Sequence, residues 1–443
     1  MDALTTKITE QSAEIGIIGQ GYVGLPLAMA FAKKFTVFGY DVCSDTIERL
    51  RAGKSHIQDV TDEQLSRYLG HTYFPTSDPE DLRRCDILII CVPTPLSEDK
   101  IPDLSYIKSA CTTINTVLHP GQFVILESTT YPGTTDEVVV PILEETGFVA
   151  GSDFGVAYSP ERVDPGNKNF PIDKVPTVVG GINVECTEVA AALYGSVMER
   201  IVPVRDARTA EAVKMVENVF RNVNIALVNE IALIFERMGI DTWEVIDAAA
   251  TKPYGFMPFY PGPGIGGHCI PLDPYYMSYR AKKYGFIPRF IETSGEINEF
   301  MKMHVVNLAE RGLRQVGKRL YGAKITVMGL AYKKNINDPR ESPAIKIIEE
   351  LANLGADVRV YDPFVPSLAT RAGVFTSAGS VEEALSGAEC AIFLVDHDVF
   401  RGISVGTVKG LMASSVIVDG KNLFAGGEGV VYMGIGKGDL HVQ

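Results

Sequence analysis

Residues 14–41 read EIGIIGQGYVGLPLAMAFAKKFTVFGYD, and each part of the stretch has its own physical task. EIGIIG is a short apolar strand running into GQGYVG. LPLAMAFAKK reads as a helix, and FTVFGYD as a second strand ending at Asp41. Gly19 permits a tight turn, Gly21 lets a pyrophosphate approach the backbone, and Gly24 lets helix and strand pack closely. Tyr22 and Val23 complete the turn, and the helix start offers free N–H groups and a positive dipole end to phosphates. Asp41 stands seventeen residues past Gly24, placed to hydrogen-bond the adenosine ribose, which favours NAD over NADP. GxGxxG alone is weak evidence. Strand, glycines, helix, strand and acid in order predict a dinucleotide-binding Rossmann domain.

Outward from this stretch the alternation continues in CDILIICVPTP (85–95), QFVILESTT (122–130) and FGVAYSPER (154–162). A parallel sheet binds its ligand beyond the carboxyl ends of its strands. Pro93 and Thr94, Thr129, and Glu161 with Arg162 are therefore expected on the same rim as Gly19–Gly24. A helical centre follows at 208–237, with Val213, Val216, Val219, Phe220, Val223, Leu227, Ile231 and Ile234 at helical spacing. Lys214, Asn218 and Asn222 share one face of it. Asn218, Asn222, Asn224 and Asn229 lower its helix propensity, which a plain scaffold would avoid. Residues 289–316 read as a further long helix. The chain then returns to strand and helix in AKITVMGLAY, SPAIKIIEELANLG, DVRVYDP, AECAIFLVD and SSVIVDG. GLAYKK stands where a phosphate loop would be, and Tyr332, Lys333, Lys334 and Arg340 suggest a different phosphate-bearing ligand there. The expected fold is α/β, two Rossmann-like domains with parallel sheets joined by a helical central domain, divided at 1–205, 206–318 and 319–443.

Composition sets outer limits. The chain has 443 residues, 46% hydrophobic and 22% charged, an ordinary soluble balance. A net charge of −14 argues against bulk nucleic-acid binding. Neither a signal peptide nor a membrane-spanning stretch is expected. Seven cysteines, odd in number and without CxxC pairs, fit a reducing cytoplasm.

One cysteine stands apart. YPGPGIGGHCIPLDP (260–274) holds Cys269 among prolines and glycines, where neither helix nor strand forms readily. Such a loop can expose a thiol and crowd backbone N–H groups around one atom. A cation such as Lys214 would favour the thiolate, and Asp273 could hold water or take a proton. Adjacent His268 and Cys269 cannot readily point at one ion, so no metal is expected. A thiol beside a nicotinamide suggests alcohol oxidation in two hydride steps, through a thiohemiacetal and a thioester.

GQGYVGLPLA, ESTTYPGTT, SPERVDPG, AEAVKMVEN, PGPGIGGHCIPLDPYY and GLAYKKNINDPRESPA together resemble the UDP-glucose/GDP-mannose dehydrogenase family, in order and over nearly the whole chain. The resemblance implies an NAD domain, a helical centre that dimerises, and a C-terminal domain for the sugar's nucleotide. It implies Cys269 as nucleophile, Lys214 and Asn218 as oxyanion and sugar contacts, and Asp273 and Thr129 as water-positioning groups. Glu161 is implied in thioester hydrolysis, Tyr332 and Lys333 in substrate contact, and Arg340 near the cofactor. Gly266 and Gly267 line the substrate in the same comparison. Lys421 stands where many members carry arginine. PERVDPG and the extended cysteine segment resemble the branch acting on UDP-N-acetylglucosamine for surface polysaccharides. There Arg162 and Val163 would meet the N-acetyl group, with Pro165 and Gly166 fixing the bend; Arg162 could instead only brace the loop. The alternatives are UDP-N-acetylmannosamine, UDP-N-acetylgalactosamine or UDP-glucose as substrate, a single-hydride β-hydroxyacid dehydrogenase, and a sensor without turnover.

Overall fold

The computed structural model describes residues 1–97, 99–162, 172–267 and 270–438. It contains two compact units, Met1–Glu217 with Tyr275–Ile287, and Asn218–Pro274 with Pro288–Gln443. The helical segment expected at 206–318 is thus shared between both.

The first unit is built on an eight-stranded sheet. Its strands are β1 (Glu14–Ile18), β2 (Thr36–Tyr40), β3 (Tyr73–Thr76), β4 (Ile87–Ile90), β5 (Phe123–Leu126), β6 (Gly155–Tyr158), β7 (Thr177–Gly181) and β8 (Ile201–Pro203). They lie in the order β3-β2-β1-β4-β5-β6-β7-β8. ILII and FVIL are buried along their whole length, as strands covered by helices on both faces must be. Ile18 is level with Tyr40 on one side and Ile90 on the other, so the three carboxyl ends share one rim. All pairings are parallel except β6 with β7. β3, β7 and β8 carry weak apolar patterns and were not expected from sequence. The polar N-terminus forms a helix, Asp2–Thr9, that buries Leu4 and Ile8.

The second unit has a five-stranded parallel sheet. β9 (Lys324–Met328), β10 (Asp357–Tyr361), β13 (Cys390–Phe393), β14 (Val416–Asp419) and β15 (Val431–Gly434) lie in the order β10-β9-β13-β14-β15. A hairpin of β11 (Ser367–Thr370) and β12 (Gly373–Thr376) stands apart. The helix Arg289–Gln315 buries Met301, Val305, Leu308 and Leu313 in the same core as β9 and β13.

The central helix, Ala207–Met238, has 32 residues and runs from the first unit into the second. Its faces are inverted. Lys214, Asn218, Asn222 and Asn229 are buried, while Val216, Phe220, Leu227, Ile234 and Met238 are 46–61% exposed.

Candidate active site

In the first unit the glycine loop is built to take a dinucleotide. Gly19 has φ +94°, and a Cβ there would lie 2.5 Å from the Cys91 carbonyl oxygen. A Cβ on Gly24 would be 1.8 Å from the Gly19 oxygen, whereas one on Gly21 would meet nothing within 4 Å. The loop is therefore packed from below and clear above Gly21, where a pyrophosphate needs room. Asp41 accepts the N–H of Gln20 at 2.8 Å and of Cys43 at 2.9 Å. These bonds aim a half-buried carboxylate from the end of β2, and the donor set fits NAD.

Gln20, between two glycines, is fully buried. It donates to the Ile17 carbonyl at 2.9 Å and accepts the Tyr73 hydroxyl at 2.7 Å. At the neighbouring strand ends, Ser128 accepts the Val92 N–H at 2.9 Å and donates to the Val92 carbonyl at 2.8 Å. Thr129 is half-buried beside it, and the Thr94 carbonyl takes the Tyr276 hydroxyl. Pro93 is exposed on the same rim.

Lys214 reaches from the central helix to the end of the β6 segment. Its ammonium donates to the Glu161 carbonyl oxygen at 2.5 Å and lies 3.2 Å from the Glu161 carboxylate. Both side chains are at most 9% exposed. A buried ion pair with one extra hydrogen bond holds a charge where water cannot screen it. Arg162 turns elsewhere. Its guanidinium forms a two-point pair with Glu217, 2.5 Å at the closer contact, and also donates to the Pro176 carbonyl. That is the bracing arrangement. Val163, Pro165 and Gly166 lie outside the described residues.

Glu127 was not foreseen. Buried at the end of β5, it accepts the Tyr194 hydroxyl at 3.0 Å and faces the Cys91 thiol at 3.9 Å. Burial pushes its carboxyl up to about 8, against the lowering effect of the Tyr194 hydrogen bond. The E of ESTT was the available signal, since a carboxylate closing a fully apolar strand needs a reason.

In the second unit the asparagines clasp the glycine-rich loop at three points. Asn229 accepts the Gly262 N–H at 2.9 Å, Asn222 donates to the Ile270 carbonyl at 3.0 Å, and Asn218 donates to the Asp273 carboxylate. Asn222 also accepts from Ser294, and Asn229 donates to Asn298, which secures them to the helix Arg289–Gln315. Among the described residues, Asn224 bonds only the Phe220 carbonyl of its own helix. Asp273 stands where the loop ends and the helix Asp273–Lys283 begins. His268 and Cys269 lie outside the described residues.

The same loop rests on the C-terminal sheet's loops. A Cβ on Gly266 would come within 2.7 Å of Tyr332 Cβ, and one on Gly267 within 2.9 Å of the Tyr332 ring. These glycines let the loop lie flat on Tyr332. Lys421 Nζ is 3.2 Å from where a Gly262 Cβ would stand. Burial holds its ammonium below the usual lysine range, and no acid lies within 4 Å of it among the described residues. Arg340 makes a two-point pair with Asp338 at 2.9 and 2.7 Å. Lys333 follows Tyr332 on the same loop and is half-buried.

A dinucleotide cradle in one unit and a second α/β sheet with a basic loop in the other define an NAD-dependent oxidoreductase with a separate nucleotide domain. Residues 13–198 match the NAD binding domain, 208–300 the central domain and 326–426 the UDP binding domain of the UDP-glucose/GDP-mannose dehydrogenase family. The UDP-N-acetyl-D-mannosamine dehydrogenase of Pyrococcus horikoshii is 37% identical over 431 residues, 96% of this chain and 100% of that protein. The UDP-N-acetyl-D-glucosamine 6-dehydrogenase of Pseudomonas aeruginosa is 38% identical over 415 residues, 93% of this chain and 97% of that one. The solved structure of the UDP-D-ManNAc dehydrogenase from Pyrococcus horikoshii superposes with a TM-score of 0.90 at 36% identity, covering 96% of this chain and all of that one. The chain belongs to the UDP-glucose/GDP-mannose dehydrogenase family, and its cofactor is NAD.

Proposed function

We propose that the protein oxidises the C6 hydroxyl of a UDP-N-acetylhexosamine, with UDP-N-acetylglucosamine the first choice, to the uronic acid. The observation that carries this is the polar face of the central helix: Lys214 and Asn218, one turn apart, are each buried against a carboxylate, Glu161 and Asp273. Burying charged and amide groups is costly unless each is given a partner, and here both are. Held by the glycine loop and Asp41, NAD+ would supply the hydride acceptor for both oxidations at carbon 6. Between the two, Cys269 adds to the aldehyde as thiolate, giving a thiohemiacetal. Loss of its hydride leaves a thioester, and water releases the carboxylate and the thiol. The balance is one alcohol, two NAD+ and one water giving one carboxylate, two NADH and three protons. Lys214 and Asn218 stabilise the oxyanion, Asp273 and Thr129 hold the water, and Glu161 takes its proton. Lys421 and Lys333 face the diphosphate. A cytoplasmic location and a role in surface-polysaccharide precursor synthesis accord with this chemistry.

The names of the relatives diverge between mannosamine and glucosamine, so the sugar needs a direct test. A panel of UDP-sugars with NAD+, read by NADH absorbance, should give two NADH per sugar and prefer UDP-N-acetylglucosamine over UDP-glucose at least roughly tenfold in kcat/KM. One NADH per sugar would remove the thioester route, and none would make the protein a sensor. Because Arg162 is engaged by Glu217 and Pro176, a contact to the N-acetyl group would require it to let go of them. An unchanged sugar ratio in Arg162→Ala leaves it as a brace.

A further inference from the structure

The two sheets share one detail and then part. β2 is followed by Asp41 and β10 by Asp362, and each aspartate accepts backbone N–H groups from the loop leaving its sheet's first strand. Gln20 donates to Asp41 at 2.8 Å; Leu330 and Ala331 donate to Asp362 at 2.6 and 3.0 Å. Among the described residues, Asp41 then takes only Cys43, and it stays half-buried. Asp362 is buried and takes the N–H groups of Phe364 and Val365 at 2.8 and 3.0 Å, and His397 Nε2 at 3.0 Å. A carboxylate has about four acceptor sites. Five donors leave none for a ribose hydroxyl.

His397 is fully buried between the rings of Phe364 and Phe400, at 5.2 and 5.4 Å. Its Nδ1 receives the Asn335 N–H at 2.9 Å. An amide can only donate, so the ring's proton sits on Nε2, towards Asp362. Asn335 has φ +59°, a left-handed conformation that a non-glycine residue holds only when its surroundings fix it. Its side chain closes on Asp398, donating to the carboxylate at 2.6 Å and accepting the Asp398 N–H at 3.2 Å.

We propose that His397 is a positioning residue whose Nδ1 holds the Asn335 N–H and so fixes the loop 330–340, which presents Lys333 to the nucleotide of the substrate. The inference rests on the reading of that loop as a substrate contact, and it gives Asp362 a task other than the ribose contact proposed for Asp41.

Asn and Gln separate the two bonds of His397. An Asn side chain puts its oxygen near the place of Nδ1, and a Gln side chain puts its amide near that of Nε2. His397→Asn therefore keeps an acceptor for Asn335 and loses the link to Asp362; His397→Gln does the reverse. Both lose one buried bond, so their melting temperatures should fall together. Amide hydrogen exchange over 331–340 should stay slow in His397→Asn and become fast in His397→Gln. UDP affinity by calorimetry should fall roughly tenfold in His397→Gln, the scale of one hydrogen bond, and much less in His397→Asn. NAD affinity should be unchanged in both. Equal weakening of UDP in the two variants would reduce His397 to general support and overturn the proposal. So would fast exchange in His397→Gln with UDP affinity intact. If instead Lys333→Ala leaves UDP affinity untouched, the loop is no substrate contact, and that reading fails whatever the exchange data show.

Discussion

The thiols show how far local surroundings alter one chemistry. Cys85, Cys91, Cys111, Cys186 and Cys390 are buried, and burial raises all five, Cys111 to about 12. Cys43 departs from these five. It is exposed, and the Thr46 hydroxyl and N–H hold its thiol below the usual range. Iodoacetamide should therefore mark Cys43 and Cys269 first, with the other five at least roughly tenfold slower, the thiolate being the reactive form. In a Cys43→Ser background, loss of activity should follow labelling of Cys269 alone, and Lys214→Ala should slow it. Peptide mass spectrometry against residual activity checks this; full activity with Cys269 labelled would make that thiol structural. Glu127 gives a second test. Its folded carboxyl, raised from 4.5 to about 8, keeps a proton that the unfolded chain loses. Stability should thus fall as pH rises between those values and stay low above them. Glu127→Gln should flatten that slope, raising the melting temperature at pH 8 on the order of a few degrees more than at pH 5. A parallel pH profile in the variant would show that Glu127 is ionised in the native state.

Among elements, the central helix does more than span. Near its start, Glu211 accepts the Gly133 N–H, the Thr135 N–H at 2.8 Å and the Thr135 hydroxyl at 2.7 Å. It thereby caps the turn that follows Thr129 and opens the next helix. Burial pushes its carboxyl up to about 7, against the Thr135 and Gly133 hydrogen bonds. Glu211→Ala would orphan three buried donors and should cost about 2–4 kcal/mol by denaturant titration, with Glu211→Gln costing less. A loss under roughly 0.5 kcal/mol would mean that water replaces the carboxylate. Further along, the asparagines at 218, 222 and 229 fix the loop ends at 273, 270 and 262. Their poor helix propensity is the local cost of that positioning.

For the whole molecule, the apolar stripe Val216, Phe220, Leu227, Ile234 and Met238 remains exposed at spacings of one or two helical turns. We infer that a second copy of the chain covers it. Phe220→Glu combined with Leu227→Glu should give a monomer by light scattering at micromolar concentration while the circular dichroism is retained. An unchanged mass would place the contact elsewhere. Among the described residues, no helix is long and apolar enough to cross a membrane.

Sequence alone carried the periodic and the chemical. Apolar runs placed β1, β2, β4, β5 and β6 and the C-terminal strands β9, β13 and β14, because strands buried in a parallel sheet are nearly continuously apolar, and the alternating DVRVY placed the more exposed β10. GxGxxG with Asp41 named the cofactor, because few other residues suit its backbone turn. Tertiary structure alone decided which polar groups share a buried bond. Nothing local joins Glu127 to Tyr194, Glu211 to Thr135, Arg162 to Glu217 or His397 to Asn335, partners separated by 67, 76, 55 and 62 residues. Such pairs form because a buried donor or acceptor is costly until it is satisfied, and which partner satisfies it depends on how the chain is packed. The same rule explains the central helix. Its period was legible from sequence, but not that Asn222 and Asn229 would hold the loop at 270 and 262.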